Sequence, residues 1–222
     1  MPMTAARSLP CLIFVAILAP CAAWAGPAED YAAGDAAYRA GDVRGAMASL
    51  RKAADAGHPK AQVLLGTILD AAEQDNEAAR YLAMAAAQGD TEATYLLAGL
   101  YSAGEGVPLD PAMARRLFEQ GADKGHRESV FALATAYLQG GLGLTEAERT
   151  SPAALACLRR AADLGHLPSL DRLATAYRKG ELGLEPDAKL ADAAEARARS
   201  IRGVVERTPA RRRAPARLPA GG

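Results

Sequence analysis

The chain has 222 residues, 26 basic and 26 acidic side chains, and is half apolar but only 5% aromatic. That length can bury a sizeable core, the balanced charge supplies no basic field for a nucleic acid, and three cysteines are too few for a disulfide-built scaffold.

Residues 1–25 read as a secretory signal. Arg7 gives a positive start, Leu9–Ala19 is apolar but too short to span a bilayer, and Ala23-Trp24-Ala25 offers a small-x-small cleavage site before Gly26. One alternative is an uncleaved anchor. Another is lipidation at Cys21, because Leu18-Ala19-Pro20-Cys21 resembles a lipobox, although Pro20 stands where that motif wants a small residue. Simple cleavage is preferred, so the expected location is periplasmic or secreted. Cleavage removes Arg7, Cys11 and Cys21, leaving Cys157 as the one thiol and no internal disulfide. Cys157 lies beside Leu158 on a core-bearing helix and is read as a buried, inert thiol.

From Gly26 to about residue 202 one pattern recurs. Four helix ends close on a turn glycine, at Gly57, Gly89, Gly125 and Gly165, with spacings of 32, 36 and 40 residues. Periods of this size mark a solenoid. Leu50, Leu82, Phe118 and Leu158 stand seven residues before each glycine, between small residues at −11 (Ala46, Ala78, Ala114, Ala154) and −3 (Ala54, Ala86, Ala122, Ala162). Steps of four place these on one helical face. After each glycine a second seam begins at Ala61, Ala93, Ser129 and Ser169, taken as position 0. Position 4 is Leu65, Leu97, Leu133 and Leu173; position 5 is Gly66, Ala98, Ala134 and Ala174; position 8 is Leu69, Tyr101, Tyr137 and Tyr177; position 11 is Ala72, Gly104, Gly140 and Gly180. An upstream copy is aligned through Tyr38 and Gly41, with Asp42 capping a helix that runs to Ala56. Five helix pairs result, and the last helix, Asp187–Ile201, lacks the large core residue, as a capping helix would.

These residues resemble Sel1-like repeats, relatives of the tetratricopeptide repeat. The pattern is fullest in Glu92–Asp110, through Ala93, Leu97-Ala98, Tyr101, Gly104-Glu105-Gly106-Val107 and Asp110. It recurs in Ser129–Leu144 and Ser169–Asp187 with one extra loop residue each, while the copy at Ala61 lacks the glycine-rich loop and Asp30–Gly57 looks like a plain tetratricopeptide unit. The resemblance covers about residues 28–200 and implies an all-α, right-handed α/α solenoid of about five helix pairs that binds partner proteins. By the same resemblance, the first helix of each pair lines the concave surface.

No catalytic constellation is read. His58, His126 and His166 each follow a turn glycine, one repeat (~10 Å) apart, too far for joint metal ligation, and are assigned to helix-start hydrogen bonding. Ser49-Leu50-Arg51-Lys52 matches the S-x-x-K of serine β-lactamases, but the companion S-D-N and K-T-G elements are missing and Leu50 is a core position. Gly104-Glu105-Gly106 is a repeat loop without the context of a phosphate cradle. No cofactor and no metal are expected.

Partner-binding residues are sought at positions 2, 6 and 9, off the core seam. Tyr95, Phe131 and Leu138 make an apolar and aromatic patch, with Asp171, Thr175 and Arg178 beyond it. The rival reading packs these aromatics between adjacent first helices. The tail, 203–222, is rich in Pro, Ala and Arg and is expected to be disordered. Its five arginines against Glu206 contrast with 20 basic and 25 acidic residues over 26–202, so a weak contact with an anionic surface is an option there. The expected function is a non-enzymatic envelope adaptor holding a partner protein or peptide segment, with no nucleic-acid role; the alternatives are an envelope hydrolase of β-lactamase type and a lipid-anchored accessory of polysaccharide export.

Overall fold

The computed structural model describes the backbone of residues 26–207 and the side chains of residues 26–203. The expected signal segment, the lipobox at Cys21 and the tail from Thr208 onward lie outside the described residues. Among the described residues the fold is all-α. Five pairs succeed one another: α1 (Pro27–Arg39) with α2 (Val43–Asp55), α3 (Pro59–Ala71) with α4 (Asp75–Ala87), α5 (Thr91–Ala103) with α6 (Pro111–Asp123), α7 (Arg127–Gln139) with α9 (Pro152–Asp163), and α10 (Leu167–Lys179) with α11 (Ala188–Arg207). A single turn, α8 (Glu146–Arg149), sits inside the fourth pair. Each helix packs on the next, and first helices also touch one another across repeats (α1 on α3, α7 on α10). This is the solenoid expected from the period.

The turn glycine does two jobs. Gly57 has φ +89°, and its N–H donates to the Ala54 carbonyl (3.0 Å) while the His58 N–H reaches back to Ala53 (3.0 Å). That closes a Schellman motif. The same pair of bonds recurs at Gly89, Gly125 and Gly165. The next residue then caps the following helix: His58 and His126 accept from the N–H of Ala61 and Ser129 through Nδ1 (3.3 Å each), and Asp90 accepts from Ala93 (2.9 Å). His166 meets Ser169 Oγ instead, at 2.8 Å. The histidines thus serve helix starts, as expected.

The core seams hold, with three differences. Leu50, Leu82, Phe118 and Leu158 are all buried. The small residues opposite them are needed, since a Cβ on Gly34 would come within 2.6 Å of Leu50 Cγ and one on Gly66 within 2.8 Å of Leu82 Cγ. That contact corrects the first copy: Gly34 stands where Gly66 does, so the upstream repeat lies one residue earlier than an alignment through Tyr38 implies, and Tyr38 is exposed at 39%. Second, Tyr101, Tyr137 and Tyr177 are only half-buried, while Tyr81 is fully buried and donates its hydroxyl to Asp55 (2.8 Å). Third, positions 1 (Gln62, Thr94, Val130, Leu170) and 7 (Ile68, Leu100, Ala136, Ala176) are also buried. First helices are enclosed by the second helix before them as well as by their own, so one seam does not exhaust their buried surface. Buried Gln62 is satisfied by the Ala54 carbonyl (3.0 Å) and the Gln88 amide (2.7 Å).

The last described helix packs along α10. Ala191 and Ala198 are buried, and Glu195 occupies the place of Leu158. Where the other second helices turn at glycine, this one carries Arg202 and continues to Arg207, five residues past the expected domain boundary at 202. No turn glycine stops it, so the backbone simply propagates.

Candidate partner-binding groove

The first helices present their position-2 side chains in a line. Each aromatic there packs against the histidine that caps the next repeat: Tyr95 lies 5.3 Å from His126 and Phe131 lies 4.8 Å from His166, ring centre to ring centre. Tyr31 stacks on His58 in the same way at 4.6 Å, which the corrected register explains, since Tyr31 is the position-2 residue of the first copy. Tyr95 also touches the core ring of Phe118 at 5.7 Å. Both Tyr95 and Phe131 are half-buried. They bridge adjacent first helices, as the packing reading has it, and keep part of their surface accessible to solvent.

Between α5 and α7 these rings border an open groove of about 520 Å³. Its walls also include Ser102, Thr135, Glu128 and Leu142. Leu142 reaches it from the loop after α7, at φ +49°, where the flanking Gly140, Gly141 and Gly143 take positive φ as well. Arg149 holds that loop by donating to the carbonyls of Tyr137 (3.1 Å) and Leu138 (2.8 Å), and α8 is started by a reciprocal Thr145–Glu148 cap. Glu128 and Leu142 were not among the residues singled out from the repeat register. Neither belongs to positions 2, 6 or 9, and a loop insertion carries no periodic signal.

The other sequence-predicted site residues stand elsewhere. Leu138 is half-buried against the main core rather than in the groove. Asp171, the position-2 residue of α10, pairs with Arg202 of α11, and Thr175 Oγ1 donates to the Asp171 carbonyl (3.1 Å). Arg178 is held by Asp192 (3.0 Å) and Glu195 (2.6 Å), also of α11. These two carboxylates hold its guanidinium pKa above the ordinary value. Asp171 and Arg178 therefore dock the terminal helix, and of the six residues proposed only Tyr95 and Phe131 meet in one groove. The charges on a last repeat have a cap to hold, a role the register alone does not distinguish from a ligand site.

The remaining candidates have structural work. Lys52 of the S-x-x-K stretch pairs with Asp30 (3.0 Å). Cys157 borders a second cavity of about 240 Å³ between α6, α7 and α9, at the place filled by Tyr81 and Leu117 in earlier repeats. Burial pushes its thiol up to about 11, so it stays protonated near neutrality. Iodoacetamide at pH 8 is expected to leave Cys157 unmodified in the folded chain and to alkylate it in urea; equal rates in both would show that the thiol is open. Among the described residues no three His, Cys, Asp or Glu side chains gather closely enough to hold a metal ion.

The repeat geometry has a match in sequence. The Sel1 repeat family model fits residues 59–90, 91–126, 127–166 and 168–191; the first three each span one first helix and the second helix that follows, and the last spans most of α10 and the start of α11. The chain belongs to the Sel1 repeat family. Similar solved structures share its fold. One is c5321, a protective antigen of uropathogenic Escherichia coli strains displaying an SLR fold, at TM-score 0.69 and 24% identity over 78% of this chain. The match spans 38% of the length of c5321. A Sel1 repeat protein from Oxalobacter formigenes matches at TM-score 0.58 and 26% identity, covering 78% of this chain and 70% of that one. Another from Klebsiella pneumoniae subsp. pneumoniae matches at TM-score 0.50 and 18% identity, covering 82% and 92%. No curated protein matches the sequence. Sel1 repeat proteins are in general protein-interaction scaffolds.

Proposed function

We propose that this Sel1 repeat protein is a non-enzymatic adaptor, exported to the cell envelope, whose groove between α5 and α7 holds a segment of a partner protein. One observation carries the reading: two half-buried aromatics, Tyr95 and Phe131, are fixed by histidine packing at the border of an open groove on the first-helix face. Rigid aromatics beside a concavity are the side chains that dominate peptide docking, because they cover much area at small entropy cost. The envelope location rests on the signal-like start, Leu9–Ala19 followed by Ala23-Trp24-Ala25.

The double variant Tyr95→Ala with Phe131→Ala tests the groove. Capture of partner by the tagged chain is expected to weaken by about 30-fold, the equivalent of one strong anchor at ~2 kcal/mol, with the helical circular dichroism signal retained. Undiminished capture by a folded double variant would remove the groove from the account.

A further inference from the structure

The groove has a polarity as well as a shape. Glu128 lines the groove and Glu92 stands beside it across His126; the two carboxylates lie 3.5 Å and 3.1 Å from His126 Nε2, and among the described residues neither pairs with a lysine or arginine. Both carboxylates are more than half exposed. The nearby cations are already engaged, Arg127 by the Leu164 carbonyl (3.1 Å) and the Phe131 ring (4.9 Å), and Lys124 by the Gly89 carbonyl (3.2 Å). An aromatic floor with an acidic rim fits a segment carrying arginine and proline: guanidinium groups stack on aromatic faces and pair with carboxylates, and proline rings pack on aromatics at low entropy cost.

The chain itself carries such a segment. Thr208–Gly222 holds Arg211, Arg212, Arg213 and Arg217, three prolines and Leu218, with no acidic residue. It departs from α11, whose Arg202 is paired with Asp171. Asp171 is the position-2 residue of α10, on the same line as Phe131 and Tyr95. Arg207 lies about 7.5 Å further along the helix. Fifteen residues extended reach ~50 Å, whereas Phe131 is about one repeat (~10 Å) from Asp171 and Tyr95 about two. We infer that Thr208–Gly222 docks in the groove between α5 and α7 of its own chain and competes there with the partner segment. The inference rests on the groove reading above. Tethering would put the tail at millimolar effective concentration, so even a weak contact occupies the groove until a partner displaces it.

A fluorescein-labelled peptide of sequence Thr208–Gly222 tests this by anisotropy against the wild-type chain and an R211E/R212E/R213E chain. The peptide is expected to bind the triple variant about fivefold or more tightly than wild type, because the native tail no longer competes. Adding Glu92→Lys and Glu128→Lys to the triple variant is expected to weaken it by about tenfold, and raised salt to weaken it too. Equal binding to wild type and triple variant, or no binding to either, would overturn the proposal. So would tail-dependent binding of the chain to phosphatidylglycerol vesicles with the peptide ignoring the groove. Partner capture that depends on Tyr95 and Phe131 but is indifferent to R211E/R212E/R213E would overturn the tail's place and leave the groove reading standing. Partner capture that is indifferent to Tyr95 and Phe131, with the peptide still bound, would overturn the groove reading and the competition with it, leaving only the tail's contact.

Discussion

Leu82→Ala is expected to lower the unfolding free energy by about 3 kcal/mol, within the ~2–5 kcal/mol seen for buried leucines. Leu82 is 1% exposed, lies against Gly66 and clusters with the buried Ala79, Ala85, Ala93, Leu97 and Leu100. Gly66 and the alanines cannot reach into the space it leaves, so only Leu97 and Leu100 could relax toward it. A solenoid also has no second core to share the loss: each repeat is stabilised by its immediate neighbours. The cavity would sit between α3 and α4, in the middle of the chain of contacts that joins the first pair to the last. Urea unfolding reads the effect as a lower midpoint, or as a split transition if the stack parts at that seam. A loss below about 1 kcal/mol would mean that Leu82 is not the interlocking residue described here.

Gly106→Val tests a different kind of contact. Gly106 has φ +65°, and a Cβ there would lie 2.1 Å from the Asp75 carbonyl oxygen and 2.7 Å from the Asn76 nitrogen. The colliding atoms are backbone at the start of α4, so no flexible side chain can swing away. The loop after α5 would have to lift off α4, adding the lost contact to the cost of a β-branched residue in the left-handed region. The expected loss is about 3 kcal/mol. Gly143→Ala is the control: its φ is +69° but no atom lies within 4 Å of the added Cβ, so about 1 kcal/mol of backbone cost is all that remains. Equal effects of the two substitutions, each measured by urea midpoint, would show that the close approach of the loop to α4 contributes nothing.

How much of this was legible in the residues differs from level to level. The turn glycines and the Leu–Ala seams were plain because a solenoid repeats the same contact, and four copies of Gly57-type turns cannot arise from loop sequence by accident. The first copy slipped by one residue because Tyr38 and Gly41 imitate the later Tyr–x–x–Gly ending, whereas the contact that sets the register, Gly34 against Leu50, shows only when the helices are packed. The buried polar residues Gln62 and Thr94 broke the apolar rule because each finds a partner, Gln62 in the Ala54 carbonyl and Gln88 of neighbouring elements and Thr94 in the Asp90 carbonyl one turn back at the start of its own helix. At the site, Tyr95 and Phe131 stood out as aromatics off the core seam. Asp171 and Arg178 occupy equivalent or adjacent register positions, but α11 follows them, and its Arg202, Asp192 and Glu195 take them up. A terminal repeat inherits the register of the others and meets a different neighbour.

The helical cap also bears on how the first-helix face is used. α11 covers one end of that face through Asp171 and Arg178, and of its open parts the wider is the groove between α5 and α7, with a smaller one between α1 and α3. A photo-crosslinking amino acid placed singly at Ser102, Thr135 and Gln139 along the groove, and at Glu119, Ala156 and Arg160 on the second-helix side, tests that use most directly. The expected result is partner crosslinking from the three groove positions and little from the other three. Crosslinking concentrated at Glu119, Ala156 and Arg160 would contradict the assignment of the groove as the partner-binding surface.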